Sequence, residues 1–238
     1  MTAIEQSTVQ FGRTSIPYAI ERGRRHKTVA ITVDPERGVR VRAPRYTPII
    51  KLDDIVRRKA KWIIDRRRQH EDLPPQPTER EFVNGETFLY TGKQYRLKLV
   101  RHVKGENAPV RLVAGRLYVS ASRQPREVLI DWYRGRAQQR LVARVQVWAE
   151  RIGVSPAGVL VREQRTRWGS ADAKGYLRFN WRIVQASTRL LDYVVAHELV
   201  HLLHADHTRE FWAMLGRVMP DYEARREKLR VVGRAMVW

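Results

Sequence analysis

Residues 196–207 read AHELVHLLHADH, and this stretch decides how the rest of the chain is interpreted. His197 and His201 are four positions apart, so a helix would place both imidazoles on one face, one turn apart. Glu198 lies between them, and His207 follows six residues after His201. Three neutral imidazoles can hold one zinc ion and leave a fourth position for water, whose proton an adjacent carboxylate can accept. The pattern is the layout of a zinc hydrolase and indicates an enzyme.

The residues around the motif predict the helix that such a site needs. Ser187 or Thr188 can cap its N-terminus, and Asp192 lies near the positive end of the helix dipole. Apolar side chains recur at helical spacing: Leu190 and Val194 form one stripe that the two histidines continue, and the adjacent faces carry Leu191, Val195 and Leu202. Neither Gly nor Pro interrupts residues 187–203, so we predict one helix over that range with the histidines facing inward.

The residues after His201 leave the third ligand open. His207 is the preferred candidate, but His204 lies three residues after His201 and is an alternative near the helix end. For His204 we expect a capping role or a role in supporting a ligand. The spacing to His207 also matches the metzincins, which have Gly at the position of His204. A side chain is costly in the left-handed turn at that position, so the metzincin class is disfavoured.

Composition limits the cell compartment and the kind of metal site. The 238 residues are 43% hydrophobic, which is ordinary for a folded protein. Cys is absent, so disulfides and thiolate metal sites are excluded and histidines and carboxylates are the available strong ligands. The sequence has no apolar run long enough to span a bilayer and does not begin like a secretory signal. We therefore predict a cytoplasmic protein with no membrane partner.

The chain is strongly basic, with a formal net charge of +21 and 37 Arg against 9 Lys. Such a field attracts polyanions, and arginine suits bidentate contact with phosphate. Three clusters fall in the first 70 residues: Arg22, Arg24, Arg25, His26 and Lys27; Arg57, Arg58, Lys59 and Lys61; and Arg66, Arg67 and Arg68. They form either a surface for nucleic acid or nucleotides or a solvated basic face, and the sequence does not decide between the two.

Hydrophobic periodicity and turn residues predict an α+β fold in three regions. Residues 1–72 form an N-terminal β-rich region, with strands at 28–33 and 38–42 around the turn at 34–37 and one helix over 48–70. Residues 73–125 begin with a Pro-rich linker and form a second β-rich region, with strands at 82–83, 87–90, 95–100 and 110–119.

Residues 126–238 form the predicted metallohydrolase core. A long helix over 126–152 carries aromatic side chains at core spacing and ends at Gly153. A strand at 159–161 and a β-hairpin over 165–181 precede the helix that carries the histidines. Two further helices begin near Thr208 and Asp221. We expect a zincin-like helical core with the hairpin beside the active-site helix.

Several motifs besides the zinc pattern resemble those of the YgjP-like metallopeptidase family, a relative of the SprT and WLM zinc proteases. They are Arg165-Thr166-Arg167-Trp168-Gly169-Ser170, Asn180-Trp181-Arg182, residues 191–201, His204, His207, Phe211-Trp212 and Pro220-Asp221-Tyr222. The N-terminal β region is also similar, with Arg40-Val41-Arg42-Ala43-Pro44, Lys59 and Trp62-Ile63. The resemblance therefore covers most of the chain.

This resemblance implies one zinc ion held by His197, His201 and His207, with Glu198 as the catalytic base. It also implies a gluzincin-like helical core beside a β-hairpin. The chain departs from the family at Ala171, where relatives often have Cys or Ser. No proposed metal ligand is affected by that departure.

Three functions are compatible with these residues. The first is a zinc metallopeptidase acting on peptides or proteins, with Arg165, Arg167 or Tyr193 as candidates to stabilise the oxyanion and Asp206 or Glu210 to orient a ligand. The second is a nucleoside triphosphate pyrophosphohydrolase that holds its substrate with Arg165, Arg167, Arg178 and Arg182. The third is a basic module associated with nucleic acid. We rank them in that order.

Overall fold

A computed structural model describes residues 5–24, 26–34, 37–71, 80–101, 109–121, 124–164, 166–236 and 238. Four features predicted from the sequence lie at least partly outside the described residues: Arg25 of the first basic cluster, the turn at 34–37, the linker at 73–77 and Arg165. Within the described ranges the architecture is mixed α and β, with six α-helices and three small sheets, which confirms the α+β class. The chain divides into two compact units, Met1–Pro74 and Pro75–Trp238.

The first unit is a four-stranded sheet followed by two helices. Its strands are β1 (Glu5–Phe11), β2 (Thr14–Gly23), β3 (Ala30–Asp34) and β4 (Gly38–Pro44), in the order β1-β2-β4-β3. The β2–β4 pair is parallel and the two outer pairs are antiparallel. Alternating apolar side chains such as Ile16 and Val41 are fully buried, so one face of the sheet forms the core of this unit.

The prediction of one helix over 48–70 is wrong, because the segment forms α1 (Ile49–Arg58) and α2 (Ala60–Glu71). The break is at Lys59, whose N–H donates to both the Ile55 and the Val56 carbonyl oxygens at the end of α1. Leu52 and Val56 on α1 and Ile63 on α2 are all fully buried in the same core. The apolar pattern runs across the break without a change of spacing, so periodicity alone did not reveal it.

The second unit begins with another four-stranded sheet. Its strands are β5 (Thr87–Tyr90), β6 (Lys93–Val100), β7 (Val110–Val113) and β8 (Arg116–Ser120), in the order β5-β6-β8-β7. The strand predicted at 82–83 is absent: Phe82 has a φ of 58°, which no strand allows, and its N–H donates to the Glu86 carboxylate at 2.7 Å. The strand predicted over 110–119 is a hairpin that turns at Ala114 and Gly115, both with positive φ.

The helix α3 (Pro125–Ile152) begins one residue before its predicted start and ends at Gly153 in the left-handed conformation, as expected. The sheet that borders the site contains β9 (Gly158–Arg162), β10 (Gly169–Ala171) and β11 (Tyr176–Asn180), in the order β10-β11-β9. Its β10–β11 pair is the predicted hairpin, and β10 is an edge strand. A 3-10 segment, Trp181–Gln185, leads from β11 towards the next helix.

Three helices complete the fold: α4 (Thr188–Val200), α5 (Arg209–Val218) and α6 (Tyr222–Val232). The central helix is α4, since Leu191, Val195 and Leu199 have no exposed surface. Asp192 on α4 accepts two hydrogen bonds from Arg144 on α3, at 2.6 and 2.9 Å, and this pair joins the two helices. The helix is shorter than the predicted 187–203, because it ends at Val200 with His201 as its C-cap.

The β5–β6 turn packs against the segment that precedes α4. The N–H of Thr91 donates to the Val184 oxygen at 3.0 Å, and that of Gly92 to the Gln185 oxygen at 2.8 Å. A Cβ atom at Gly92 would lie 2.9 Å from the Ser187 Cβ, closer than side chains pack, and its φ is +78°. Only glycine fits at position 92, where the turn approaches the backbone before α4 this closely. The second β region is thereby part of the same compact unit as α4.

Among the helices of the described residues, none combines the length and the apolar character that crossing a bilayer requires.

Candidate metal centre

The end of α4 and the loop that follows it bring three histidines together. His197 lies in the last turn of α4, His201 caps the helix, and His207 lies in the loop before α5. One ring nitrogen from each residue lies within 4.8 Å of the others, and the Nε2 atoms of His197 and His207 are 3.0 Å apart. Among the described residues, this group gathers the histidines predicted from the sequence as ligands.

His204 contributes its backbone to this arrangement. Its N–H donates to the Val200 oxygen at 3.0 Å, which closes the last turn of α4. Its carbonyl oxygen lies 3.1 Å from Nδ1 of His201. That contact makes Nδ1 the protonated nitrogen of His201 and leaves Nε2 with a free lone pair. Main-chain atoms of His204 therefore close the last turn of α4 and contact the His201 ring, and a role in supporting a metal ligand stays a prediction.

Aromatic side chains of α5 surround the three imidazoles. Trp212 stacks on His207 with ring centres 5.4 Å apart and planes 26° apart, and Tyr222 of α6 also stacks on Trp212, at 5.5 Å. Phe211 is fully buried and contacts all three histidine rings, with centres 4.6 to 5.0 Å apart. The exposed His207 is thus held in position by packing on α5.

The surroundings of His197 and His207 favour the neutral form that binds metals. Burial, together with the neighbouring His201 and His207, lowers the pKa of His197 to about 3. Burial and the proximity of His201 also lower the pKa of His207. Neutral imidazoles present a lone pair to a cation, so the three residues form a suitable set of donors. The Nε2 separation of 3.0 Å is close to the ~3.3 Å between nitrogens on a tetrahedral zinc ion.

Glu198 is buried between α4 and the edge strand β10, with 6% of its surface exposed. The N–H of Ala171 donates to its carboxylate. A Cβ atom at Gly169 would lie 2.7 Å from the Glu198 Oε1, so β10 can approach this closely only with glycine at that position. Burial raises the pKa of Glu198 to about 8, even though Arg167 and the Ala171 N–H act in the opposite direction.

A cleft of about 1160 Å³ opens beside this group. Its walls include the histidines, Glu198, the edge strand β10 and the loop after α4, where Leu203 remains 49% exposed. Arg167 and Tyr193, two of the predicted oxyanion residues, also line the cleft. The third, Arg165, lies outside the described residues.

Other predicted site residues are engaged elsewhere. Arg178 forms an ion pair with Asp172 at 2.7 Å, and Arg182 contacts Glu163 at 3.0 Å. Within the described residues, no side-chain hydrogen bond joins Asp206 or Glu210 to a histidine ring. The negative charge of Asp206 nevertheless acts to raise the pKa of His207.

Sequence reasoning missed the contribution of Arg226. Its guanidinium lies 5.2 Å from the centre of the Trp212 ring and lowers the pKa values of His197 and His207. No local pattern marks this residue, because α6 brings it to the site from a distant part of the sequence. The contact between Gly169 and Glu198 was missed too, although the Arg-Trp-Gly-Ser stretch that contains Gly169 was recognised as a motif.

Comparison with known domains assigns the class of protein. The model of a metallopeptidase domain, described as "YgjP-like, metallopeptidase domain", matches residues 27–231. The chain therefore belongs to the YgjP-like family of metallopeptidase domains, as its motifs predicted. No curated protein matches the chain.

Two solved structures are similar to part of the chain. The metallopeptidase zymogen of Pyrococcus abyssi abylysin is 20% identical, with 41% of this chain and 99% of that one covered and a TM-score of 0.36. The metallopeptidase zymogen of Methanocaldococcus jannaschii jannalysin is 19% identical, with 40% and 95% covered and a TM-score of 0.35.

Proposed function

We propose that this protein is a zinc-dependent metallopeptidase in which His197, His201 and His207 hold one zinc ion and Glu198 activates water. One observation carries the proposal. Three imidazole nitrogens lie within 4.8 Å of one another beside a buried carboxylate at the wall of an open cleft. Membership of a metallopeptidase family supports peptide hydrolysis at the level of the family.

The donor set suits zinc better than the harder cations. It consists of three imidazoles, and the chain has no Cys to compete as a ligand. Zinc supplies a Lewis acid that polarises a carbonyl and lowers the pKa of water. A contact of His201 Nδ1 with the His204 carbonyl fixes one ligand, and packing on Trp212 holds another. The protein thus supplies orientation as well as ligands.

Glu198 is the proposed base because it is positioned and kept out of bulk water. The Ala171 N–H and the close backbone at Gly169 fix its carboxylate next to the histidines. Burial alone keeps this group protonated near neutral pH, and a neighbouring dication favours the carboxylate. In the proposed reaction Glu198 takes a proton from water and delivers it to the leaving amine.

We propose that the substrate binds along the edge strand β10. A peptide in extended conformation can pair with the open side of β10 and so pass along the cleft beside Glu198. Arg167 and Tyr193 line the same cleft and are the proposed donors to the developing oxyanion.

Metal content and turnover test the proposal together. We expect the purified protein to bind about one zinc per chain. Glu198→Gln should keep that zinc and lower hydrolysis of an unfolded protein substrate by about 10²- to 10⁴-fold. Glu81→Gln, at an exposed carboxylate that precedes β5, is the matched control and should leave activity unchanged. Loss of zinc in Glu198→Gln, or unchanged turnover, would contradict the assignment.

Hydrolysis of a phosphoanhydride is the second candidate, and Arg167 in the cleft is the observation that favours it. It has less support because Arg178 and Arg182 contact acidic residues instead of lining the cleft. Release of pyrophosphate from nucleoside triphosphates, abolished by Glu198→Gln, would reverse the ranking.

A further inference from the structure

A cavity of about 530 Å³ in the Met1–Pro74 unit is surrounded by basic side chains. It lies where the turn after β4 meets the start of α1, beside the end of β2. Its wall contains four basic residues, one aromatic residue and no acidic residue: Arg24, His26, Arg45, Lys51 and Tyr46. Charge is therefore concentrated in a concave site, where the low-dielectric walls strengthen the field that a ligand experiences.

Three acidic residues of this unit are paired with arginines outside the cavity wall. Glu5 contacts Arg22 at 2.6 Å, Glu21 contacts Arg40, and Asp54 contacts Arg57 at 2.9 Å. Across the ranges that the structure describes, no ion pair joins Arg24, Arg45 or Lys51 to a carboxylate. The positive charge of the cavity is thus left for a ligand from outside the chain, while neighbouring arginines are compensated.

The turn that presents the cavity wall is held rigid. The Thr47 N–H donates to the Pro44 oxygen at 3.2 Å, and Arg22 donates to the carbonyl oxygens of Arg45 and Thr47 at 3.3 and 2.5 Å. Glu5 fixes Arg22 in turn. The two residues at the tip are exposed, Tyr46 to 86%, and the Arg45 guanidinium lies 5.6 Å from the centre of the Tyr46 ring.

We propose that this cavity binds single-stranded nucleic acid, with phosphates at Arg24, Arg45 and Lys51 and a base stacked on Tyr46. A tyrosine this exposed makes almost no packing contact within the chain. Its ring can stack on a base while the adjacent cations contact the phosphates. Bases of a duplex are already stacked on each other, so a single strand is the form that fits a protruding ring. The proposal is independent of the metallopeptidase site.

Fluorescence anisotropy with a labelled oligothymidylate of about 20 nucleotides tests the proposal on the full chain. We expect Tyr46→Ala to weaken binding about tenfold and to leave the salt dependence unchanged, because it removes a stacking contact. Arg45→Ala and Lys51→Ala should each weaken binding about three- to tenfold. Each should also reduce the slope of log affinity against log salt by about 0.7, the value for one phosphate contact on a single strand.

Arg13→Ala is the matched control. Arg13 is an exposed arginine in the turn before β2, roughly 35 Å along the strand from Arg24. Equal loss of binding in Arg13→Ala would mean that the overall charge attracts the oligonucleotide, and it would overturn the proposal. Three other results would also overturn the proposal: full affinity in Tyr46→Ala, tighter binding of the matched duplex than of the single strand, and complete displacement of the oligonucleotide by inorganic phosphate at millimolar concentration. The substituted side chains are exposed, so unchanged thermal unfolding will confirm that each variant folds.

Discussion

The contact between Gly169 and Glu198 controls the position of the proposed base. A Cβ atom at position 169 would lie 2.7 Å from both Cγ and Oε1 of Glu198, and the carboxylate has no free space on that side. We expect Gly169→Ala to retain zinc, to destabilise the fold by about 1–3 kcal/mol and to lower hydrolysis about 100-fold, because overpacking displaces the carboxylate. Urea unfolding, zinc content and turnover measure the three effects.

A double-mutant cycle separates this contact from a general effect of alanine. In a Glu198→Ala background the obstructing side chain is absent, so Gly169→Ala should cost less than about 0.5 kcal/mol. Gly135→Ala in α3 is the control for glycine replacement, since nothing lies within 4 Å of its Cβ position, and it should be neutral or stabilising by up to about 1 kcal/mol. Equal destabilisation by Gly169→Ala in both backgrounds would show that Glu198 is not the obstacle.

At the scale of single residues, the sequence indicated the proposed ligands and base but not the contacts that hold them in position. The i, i+4 spacing of His197 and His201 depends on helix geometry alone, and Glu198 adjoins His197 in sequence. The approach of Gly169 to Glu198 depends on the distance between a strand and a helix, which no local pattern encodes. The same holds for the His204 carbonyl, whose direction is set by how α4 ends.

At the scale of elements, α5 positions the one proposed ligand that lies outside α4 and its C-cap. His207 lies in a loop, and the indole of Trp212 stacks both on its ring and on the ring of Tyr222. We expect Trp212→Leu to weaken zinc binding by about 10- to 100-fold, as loss of support for a ligand typically does. Competition with a chromophoric chelator measures the change in Kd.

Tyr222→Leu is the matched comparison for Trp212→Leu. Tyr222 stacks on Trp212, and no ring contact joins it to the histidines among the described residues. Its replacement should change zinc affinity less than about threefold, because His207 keeps its direct neighbour. An equal loss in both variants would indicate that the aromatic stack stabilises the fold and has no specific effect on His207.

Elements with strong local signals were predicted well, and elements that depend on irregular backbone were not. The long helix α3 has a Pro near its start and a Gly after its end, and both boundaries follow from those residues. By contrast, the Lys59 break leaves the apolar spacing unchanged, and the left-handed Phe82 occurs in a stretch with strand-like composition. In both cases tertiary packing overrides the local preference.

At the scale of the whole molecule, the two compact units have separate hydrophobic cores. All residues proposed for the metal site belong to the Pro75–Trp238 unit. We expect a protein consisting of that unit alone to unfold cooperatively and to bind about one zinc, because an independent core is what a domain needs to fold. Circular dichroism during heating and zinc analysis test this expectation.

The full chain is the reference for the experiment with the isolated unit. The isolated unit lacks the basic cavity, so it should keep peptide hydrolysis and lose the affinity for oligothymidylate that depends on Tyr46. A fragment that fails to fold, or that binds no zinc, would contradict the independence of the two cores. The boundary placed at 125/126 from the sequence stays a prediction, although the β5–β6 turn packs directly on the segment before α4.

The fit of Gly92 against Ser187 has a practical consequence for anyone who modifies this protein. Hairpin turns are the usual sites for inserting an epitope tag, a fluorophore attachment site or a new terminus, because most of them project into solvent. The β5–β6 turn is unsuitable, since any inserted residue would enter the space filled by the backbone of Ser187. The turn of Gly12 and Arg13 is more suitable: nothing lies within 4 Å of the Gly12 Cβ position, and a label on the exposed Arg13 position leaves both cores intact while Gly12 keeps its φ of +59°.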